Sequence, residues 1–188
     1  MTMPGADRTA RIYITGFMGS GKSTVGPLLG SSLGYRFIDL DTAIEAGEGK
    51  SIPEIFREKG EAEFRSLERN ELRLLGTRSR IVVATGGGAL ADSGSLAIVR
   101  GSGLLVYLQV PLDTLIARLR GRKGRPMISA RDGTPLGDEQ LRDRIRSLFL
   151  LREPVYRQAD IIVDAGAGSP GETVSAILDA LAPLRGKT

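Results

Sequence analysis

The sequence predicts an α/β fold in which helices cover both faces of a parallel sheet. Five short apolar segments alternate with stretches of helical periodicity, and no internal repeat or linker divides the 188 residues. Polar or glycine-rich segments follow the first three strands, at the edge where such sheets bind ligands. We therefore expect a single domain over residues 11–188, preceded by a disordered tail at residues 1–10.

The predicted elements follow one another in regular order. Strands are expected at Arg11–Thr15, Tyr35–Asp41, Arg80–Thr85, Leu104–Leu108 and Asp160–Val163. Helices are expected near residues 24–33, 42–46, 51–75, 93–100, 111–119, 138–151 and 172–184. Gly60 should interrupt the long third helix, and the segment around Pro154 should end the sixth.

The first strand runs directly into a glycine-rich loop. The segment Gly16-Phe17-Met18-Gly19-Ser20-Gly21-Lys22-Ser23-Thr24, called the phosphate loop below, fits the pattern G-x-x-x-x-G-K-[ST]. In that pattern backbone N–H groups cradle phosphates, the lysine reaches the β- and γ-phosphates, and the hydroxyl holds Mg²⁺. The alternative is a simple glycine turn. Because a strand precedes the loop and a helix-compatible run follows it, the sequence predicts a P-loop NTPase.

Composition limits the chemistry that the chain can perform. It contains no His and no Cys, which excludes imidazole bases, thiol nucleophiles and the usual zinc sites. The net charge of +4 favours acidic partners, either small phosphorylated anions or nucleic acid. Aromatic residues make up only 5% of the chain, so stacking platforms for single strands are not expected. No apolar run is long enough to span a bilayer, and we expect a cytoplasmic protein.

Two acids end the second predicted strand, and three glycines follow the third. Asp39 and Asp41 are two residues apart, so in an extended chain they face the same way. Beside a nucleotide they can orient metal-bound water and accept a proton, whereas the alternative is helix capping. Gly86-Gly87-Gly88, the glycine loop, is either a turn or a place where a ligand approaches the backbone closely.

Arginines supply the remaining candidates. Arg65 and Arg152 are either solvated surface residues or a pair that grips a planar carboxylate. A glycine-rich basic segment around residues 120–137 has three interpretations: a solvated loop, a nucleic-acid patch, or a mobile lid over a transferring phosphoryl group. Its neighbourhood contains Arg118, Arg120, Arg122, Lys123, Arg125 and Arg131.

Taken together in this order, the motifs resemble shikimate kinase from about Arg11 to Leu184. The likeness depends on the phosphate loop with Val25-Gly26 after it, Phe37-Ile38-Asp39-Leu40-Asp41, Ile55-Phe56, Gly60-Glu61, Phe64-Arg65, the glycine loop, Arg125-Pro126 and Arg152-Glu153-Pro154-Val155-Tyr156. It implies a nucleoside-monophosphate-kinase-like fold with strand order 2-3-1-4-5. It also implies ATP-dependent phosphorylation of the 3-hydroxyl of shikimate, a step toward chorismate and the aromatic amino acids.

The resemblance implies a role for each matching residue. Catalytic roles fall to Lys22, Asp41 and Arg125. The shikimate contacts are Asp41, Arg65, Gly87, Gly88 and Arg152. The ATP contacts are Gly19, Ser20, Gly21, Lys22, Ser23, Thr24, Arg118 and Arg125. Mg²⁺ is held by Ser23 and, through water, by Asp39.

Two departures from the family pattern concern the lid. Met127-Ile128 stand where the family usually has two leucines, and the stretch from Arg125 to Arg152 is longer than is typical. The rival interpretations are a gluconate-type kinase of the same fold and a nucleotide-dependent RNA-binding or regulatory protein. The expected partners are shikimate and ATP, with no nucleic acid and no membrane, and we expect a monomer.

Overall fold

Five parallel strands form the sheet, and their order confirms the expected topology. The computed structural model describes residues 7–120 and 136–185. The strands are β1 (Arg11–Thr15), β2 (Arg36–Asp39), β3 (Ile81–Ala84), β4 (Leu104–Gln109) and β5 (Ile161–Asp164). They lie in the order β2-β3-β1-β4-β5, and every neighbouring pair is parallel.

Seven α-helices connect and follow these strands in the described part of the chain. They are α1 (Lys22–Leu33), α2 (Leu40–Glu48), α3 (Ile52–Leu75), α4 (Ser93–Ser102), α5 (Leu112–Leu119), α6 (Asp138–Tyr156) and α7 (Pro170–Arg185). The expected interruption of α3 is confirmed, because Gly60 inside it has φ +80° and ψ 174°.

In the central strands β1 and β3, alternate side chains enter two separate cores. In β1, Ile12 and Ile14 join a cluster with residues of α1, α5, α6 and α7, whereas Tyr13 joins a cluster with residues of α2, α3 and α4. Burial on both faces explains why the strands are continuous apolar runs rather than alternating ones.

The second strand is shorter than predicted, which changes the relation between its two acids. It ends at Asp39, and α2 begins at Leu40. The Asp39 carboxylate accepts hydrogen bonds from the backbone N–H groups of Asp41 (3.1 Å) and Thr42 (3.3 Å) and so caps the helix. The prediction that Asp39 and Asp41 share one face of an extended strand is therefore wrong, because local capping starts the helix between them.

The sixth helix continues beyond its predicted end, through Pro154 to Tyr156. The proline removes a single backbone N–H, but Arg152 and Tyr156 on either side of it are both buried. Burial of this helix face outweighs the local preference of proline to end the helix, and it brings both side chains to the glycine loop.

The amino-terminal expectation also needs correction. Residues 8–10 form a turn of 3₁₀ helix that is capped by the Asp7 side chain. Arg8 donates to the Gly103 carbonyl (2.8 Å) and to the Asp160 carboxylate (2.8 Å), so residues 7–10 are ordered against the sheet.

Most of the predicted lid, residues 121–135, lies outside the described residues. None of the described helices combines the length and apolar character that a bilayer crossing needs.

Candidate active site

The phosphate loop has the backbone that its glycines predict. Gly21 stands at the start of α1 with φ +99°, a left-handed conformation that side-chain-bearing residues rarely adopt. The Lys22 ammonium donates to the carbonyls of Gly16 (2.7 Å) and Phe17 (3.1 Å), so it lies over the loop. This arrangement places a cation and the amino terminus of a helix where the sequence predicts the phosphates.

Arg118 connects the phosphate loop to the loop after β5. Its guanidinium donates to the Gly19 carbonyl at 3.2 Å. It also donates to the carbonyls of Ala165 (3.4 Å) and Gly166 (3.3 Å). These contacts put Arg118 beside the predicted nucleotide contacts.

Asp41 lies between the phosphate loop and the glycine loop. A Cβ placed on Gly86 would lie 2.9 Å from the Asp41 Oδ1 atom, so a larger residue at that position would displace the carboxylate. Burial raises the pKa of Asp41, the negative charges of Asp39 and Glu45 add to the rise, and Lys22 and Arg65 oppose it. Asp41 thus combines restricted solvation with neighbouring cations, a pattern typical of functional carboxylates.

Both candidate carboxylate-binding arginines converge on Gly88. A Cβ on Gly88 would lie 3.1 Å from Nη2 of Arg65 and 3.4 Å from Nη2 of Arg152. The two residues come from different helices, α3 and α6, and they are 87 positions apart in the chain. The absence of a side chain at Gly88 is therefore what lets both guanidinium groups approach the same place.

Arg152 is held in a largely buried position on α6. Only 8% of its surface is exposed, and its guanidinium lies 6.0 Å from the centroid of the Phe17 ring. The phosphate loop thus contributes an aromatic neighbour to Arg152. Tyr156, one turn later, donates a hydrogen bond to the Gly87 carbonyl at 2.5 Å.

Glu68 is a site residue that sequence reasoning missed. It is only 2% exposed, and its carboxylate forms an ion pair of 2.6 Å with Nη1 of Arg65. Burial raises its pKa to about 7, although Arg65 and Arg152 oppose the rise and Asp41 adds to it. Its signal lay in the periodicity of α3, where Glu68 occupies the middle of the buried series Phe64, Glu68, Leu72 and Leu75.

The residues proposed for Mg²⁺ offer oxygen ligands of the kind that this ion prefers. Ser23 supplies a hydroxyl in the first turn of α1, and Asp39 supplies a carboxylate at the start of α2. Over residues 7–120 and 136–185, no cluster of three or more acidic, His or Cys residues forms a ready-made metal cage. This donor set fits a magnesium ion that is held mainly by phosphates and water.

The structure therefore sorts the predicted residues into two neighbouring groups. The residues predicted to contact the phosphoryl acceptor, called the acceptor group, lie around the glycine loop; they are Asp41, Arg65, Gly87, Gly88 and Arg152. The residues predicted to contact the nucleotide, called the nucleotide group, are Gly19 to Thr24 and Arg118, which lie at the phosphate loop. Arg125 lies outside the described residues, so its role rests on the sequence alone.

Comparison with known proteins shows the family to which the chain is similar. The family model described as shikimate kinase matches residues 18–182. A shikimate kinase of Chlorobium chlorochromatii (strain CaD3) is 47% identical over 163 residues, which cover 87% of this chain and 86% of that protein. The structure of a shikimate kinase from Acinetobacter baumannii in complex with shikimate is 32% identical, with a TM-score of 0.83 and coverage of 96% of both chains.

A more distant likeness bears on the rival kinase interpretation. The crystal structure of a gluconokinase from Sinorhizobium meliloti 1021 is 22% identical with a TM-score of 0.57, covering 95% of this chain and 94% of that chain. At this identity the likeness shows the shared fold alone, whereas the family model and the more similar relatives favour the shikimate kinase interpretation over the rivals. The chain belongs to the shikimate kinase family.

Proposed function

We propose that this chain transfers the γ-phosphoryl group of ATP to the 3-hydroxyl of shikimate through the residues assembled at the carboxyl edge of its sheet. The observation that supports this most directly is the convergence of Arg65 and Arg152 on Gly88, with Asp41 beside Gly86. A binding site with two cations at one end and a carboxylate at the other suits an acceptor that bears both a carboxylate and hydroxyl groups.

Arg65 and Arg152 form the proposed carboxylate clamp. Each guanidinium has five N–H donors in a planar fork that matches the two oxygens of a carboxylate. Arg65 is oriented by ion pairs with Glu68 (2.6 Å) and Glu61 (3.0 Å), while Arg152 is oriented by its burial. Because their positions are fixed before the acceptor arrives, little side-chain entropy is lost on binding.

Asp41 is the proposed ligand of the reacting hydroxyl and the acceptor of its proton. Its carboxylate is an acceptor of hydrogen bonds when ionised. Burial raises the pKa of Asp41, and the positive charges of Lys22 and Arg65 oppose that rise. Phosphoryl transfer depends more on positioning and charge stabilisation than on a strong base, so a carboxylate is sufficient in a chain without histidine.

The nucleotide side is assigned to Gly19, Ser20, Gly21, Lys22, Ser23, Thr24 and Arg118, with Arg125 added from the sequence. Backbone N–H groups of the phosphate loop and the Lys22 ammonium would bind the phosphates of ATP. Ser23 and, through water, Asp39 would hold Mg²⁺, which supplies charge neutralisation on the phosphates when bound. Arg118 would lie against the adenine, between the phosphate loop and the loop after β5.

Several wider expectations belong to the same proposal and stay predictions. They are a single kinase domain over residues 11–188 with a lid around 120–137, a monomer, a cytoplasmic location and no use of nucleic acid. Size-exclusion chromatography tests the monomer. Titration with RNA at low salt tests the last expectation, because a protein that contacts several phosphates would bind RNA with steep salt dependence.

The main test is a comparison of acceptors. ADP release from ATP and Mg²⁺ is measured with shikimate, quinate, gluconate and no acceptor, using the unmodified chain and two variants of α3. We expect turnover with shikimate. We expect Arg65→Ala to raise the shikimate KM by about tenfold or more, because a charge-assisted contact is lost. Arg73→Ala is the matched control, since it removes an exposed arginine from the same helix.

Two results would contradict the proposal. Turnover with gluconate but not with shikimate would keep the phosphate loop and overturn the acceptor assignment. An effect of Arg65→Ala on the ATP KM alone would show that Arg65 does not bind the acceptor carboxylate.

A further inference from the structure

We propose that Tyr156 is a positioning residue for acceptor binding, whose buried hydroxyl ties the glycine loop to α6 and thereby fixes the place of Arg152. The inference rests on the proposed role of Arg152 in the carboxylate clamp. Tyr156 itself need not touch the acceptor, because it acts through the backbone of Gly87 and through its neighbour on the helix.

The geometry places the tyrosine hydroxyl at the junction of these two parts. Tyr156 is 2% exposed and donates a hydrogen bond to the Gly87 carbonyl at 2.5 Å. It follows Arg152 by four residues on α6, so both side chains lie on the same helix face. A Cβ on Gly87 would lie 3.7 Å from the Tyr156 hydroxyl and 3.5 Å from Nη1 of Arg152.

Electrostatics agree with this proximity. Burial raises the pKa of Tyr156 above its usual range, and the positive charge of Arg152 is the first influence that opposes the rise. The hydroxyl therefore stays protonated at neutral pH and remains a hydrogen-bond donor to Gly87. The same residue pair thus links a backbone carbonyl of the acceptor group to the arginine that would bind the acceptor.

Gly87 also stands near the nucleotide group. A Cβ on Gly87 would lie 3.7 Å from the carbonyl oxygen of Gly16, at the start of the phosphate loop. Displacement of the glycine loop would consequently change the distance between acceptor and phosphates as well as the place of the clamp. Removal of the donor leaves the part-buried Gly87 carbonyl without this partner, and the lost hydrogen bond no longer holds the glycine loop against α6.

The chain offers a matched control in Tyr107. Its ring centroid lies 5.3 Å from that of Tyr156, and the residue is completely buried. Within the described residues its hydroxyl has no hydrogen-bond partner. Tyr156→Phe and Tyr107→Phe therefore remove the same atom from neighbouring buried rings, but only the first removes a contact with the glycine loop.

The experiment measures kcat and the KM values for shikimate and ATP in the unmodified chain and four variants. The variants are Tyr156→Phe, Tyr107→Phe, Arg152→Lys and the Tyr156→Phe/Arg152→Lys double variant. Calorimetric titration with shikimate alone repeats the comparison without turnover, and the thermal midpoint of each variant reports its stability.

We expect Tyr156→Phe to raise the shikimate KM about tenfold, with the ATP KM within about twofold of normal. Tyr107→Phe should change neither KM by more than about twofold. In the double variant the rise should be smaller than the product of the two single effects, because the tyrosine acts through the position of Arg152.

Other outcomes would overturn the inference. If Tyr156→Phe behaves like Tyr107→Phe, the hydroxyl does not position the clamp. If Tyr156→Phe raises both KM values equally and lowers the thermal midpoint, its role is structural only. If Arg152→Lys leaves the shikimate KM unchanged, the proposed function of Arg152 fails first. A normal Tyr156→Phe beside an impaired Arg152→Lys defeats the positioning role alone.

Discussion

Glu68 is a buried carboxylate that contacts a candidate acceptor-binding residue. Burial disfavours its ionised form, while the ion pair with Arg65 favours it, and burial is the larger effect because the pKa rises to about 7. The pair orients Arg65 toward the glycine loop. The raised pKa makes the stability of the folded state depend on pH.

We predict that Glu68 makes the folded state less stable as the pH rises from about 4.5 to about 7. The pKa of Glu68 rises from 4.5 to about 7 on folding, so over this interval the folded state binds a proton that the unfolded state has released. The free energy of unfolding then falls as pH rises. Glu68→Gln removes this dependence. The free energy of unfolding of the unmodified protein minus that of Glu68→Gln should therefore fall by roughly 2 kcal/mol between pH 4.5 and pH 7.

The measurement is urea unfolding followed by circular dichroism at several pH values, since the chain has no tryptophan to report by fluorescence. Comparison with Glu68→Gln cancels the contributions of other carboxylates to first order. If the free energy of unfolding of the unmodified protein minus that of Glu68→Gln stays constant or rises with pH, then Arg65 and not burial determines the protonation of Glu68.

At the scale of residues, prediction from sequence succeeded where a motif is local. Lys22 and Gly21 lie within one short pattern, and the structure gives Gly21 a left-handed backbone and places the Lys22 ammonium over the loop. Glu68 and Tyr156 escaped prediction because their significance arises only when α3 and α6 meet the glycine loop. The periodicity of α3 indicates that Glu68 is buried, but the sequence around neither residue shows the contact with the glycine loop.

At the scale of elements, the interruption of α3 directs its second half toward the site. Gly60 has φ +80° and ψ 174°, a conformation that only glycine adopts readily. Arg65 and Glu68 follow this point on the same helix. The direction of the helix after Gly60 therefore determines where the carboxylate clamp lies.

We predict that Gly60→Ala destabilises the protein by about 1–3 kcal/mol, because alanine is strained in this conformation. Gly47→Ala provides a matched control inside α2. At both positions a Cβ would meet nothing within 4 Å, so crowding does not distinguish them. In a regular helix the change should stabilise by about 0.5–1 kcal/mol.

Urea unfolding measures the change in the free energy of unfolding for both variants, and we expect a decrease for Gly60→Ala and an increase for Gly47→Ala. Equal effects of the two substitutions would show that the conformation of Gly60 carries no energetic penalty for alanine. We also expect Gly60→Ala to raise the shikimate KM, because the segment with Arg65 would shift, whereas Gly47→Ala should leave it unchanged.

The ends of elements were harder to predict than their existence. Gly60 was identified correctly because glycine in a helical pattern is a local signal. The predicted end of β2 is two residues too late. The sequence Tyr35–Asp41 is compatible with a strand throughout and does not show that Asp39 caps a helix that begins at Leu40. Pro154 lies inside α6 because burial of Arg152 and Tyr156 sustains the helix across it.

At the scale of the whole molecule, the sheet order separates the proposed acceptor group from the proposed nucleotide group. The central strand β1 leads into the phosphate loop, and β2 and β3 on one side lead to Asp39 and the glycine loop. On the other side, β4 and β5 are followed by α5 with Arg118 and by the loop that Arg118 contacts. Acceptor and nucleotide groups thus occupy opposite halves of one edge.

This separation predicts opposite specificities for two arginine variants. Arg118→Ala should raise the ATP KM about tenfold and leave the shikimate KM nearly unchanged, because the lost contacts are with Gly19 and the loop after β5. Arg65→Ala should do the reverse. Since the two residues share no partner among the contacts described, the effects should add in the double variant.

Steady-state kinetics, with each substrate varied at saturating levels of the other, measures the ATP KM and the shikimate KM of the unmodified chain, the two single variants and the double variant. Additive effects within about 0.5 kcal/mol would support two binding groups that are coupled only through the reaction itself. A strong interaction between the variants would instead mean that the two halves of the edge move together on binding. In that case binding of the acceptor would change the affinity of the chain for the nucleotide, although the phosphate loop lies between the two groups.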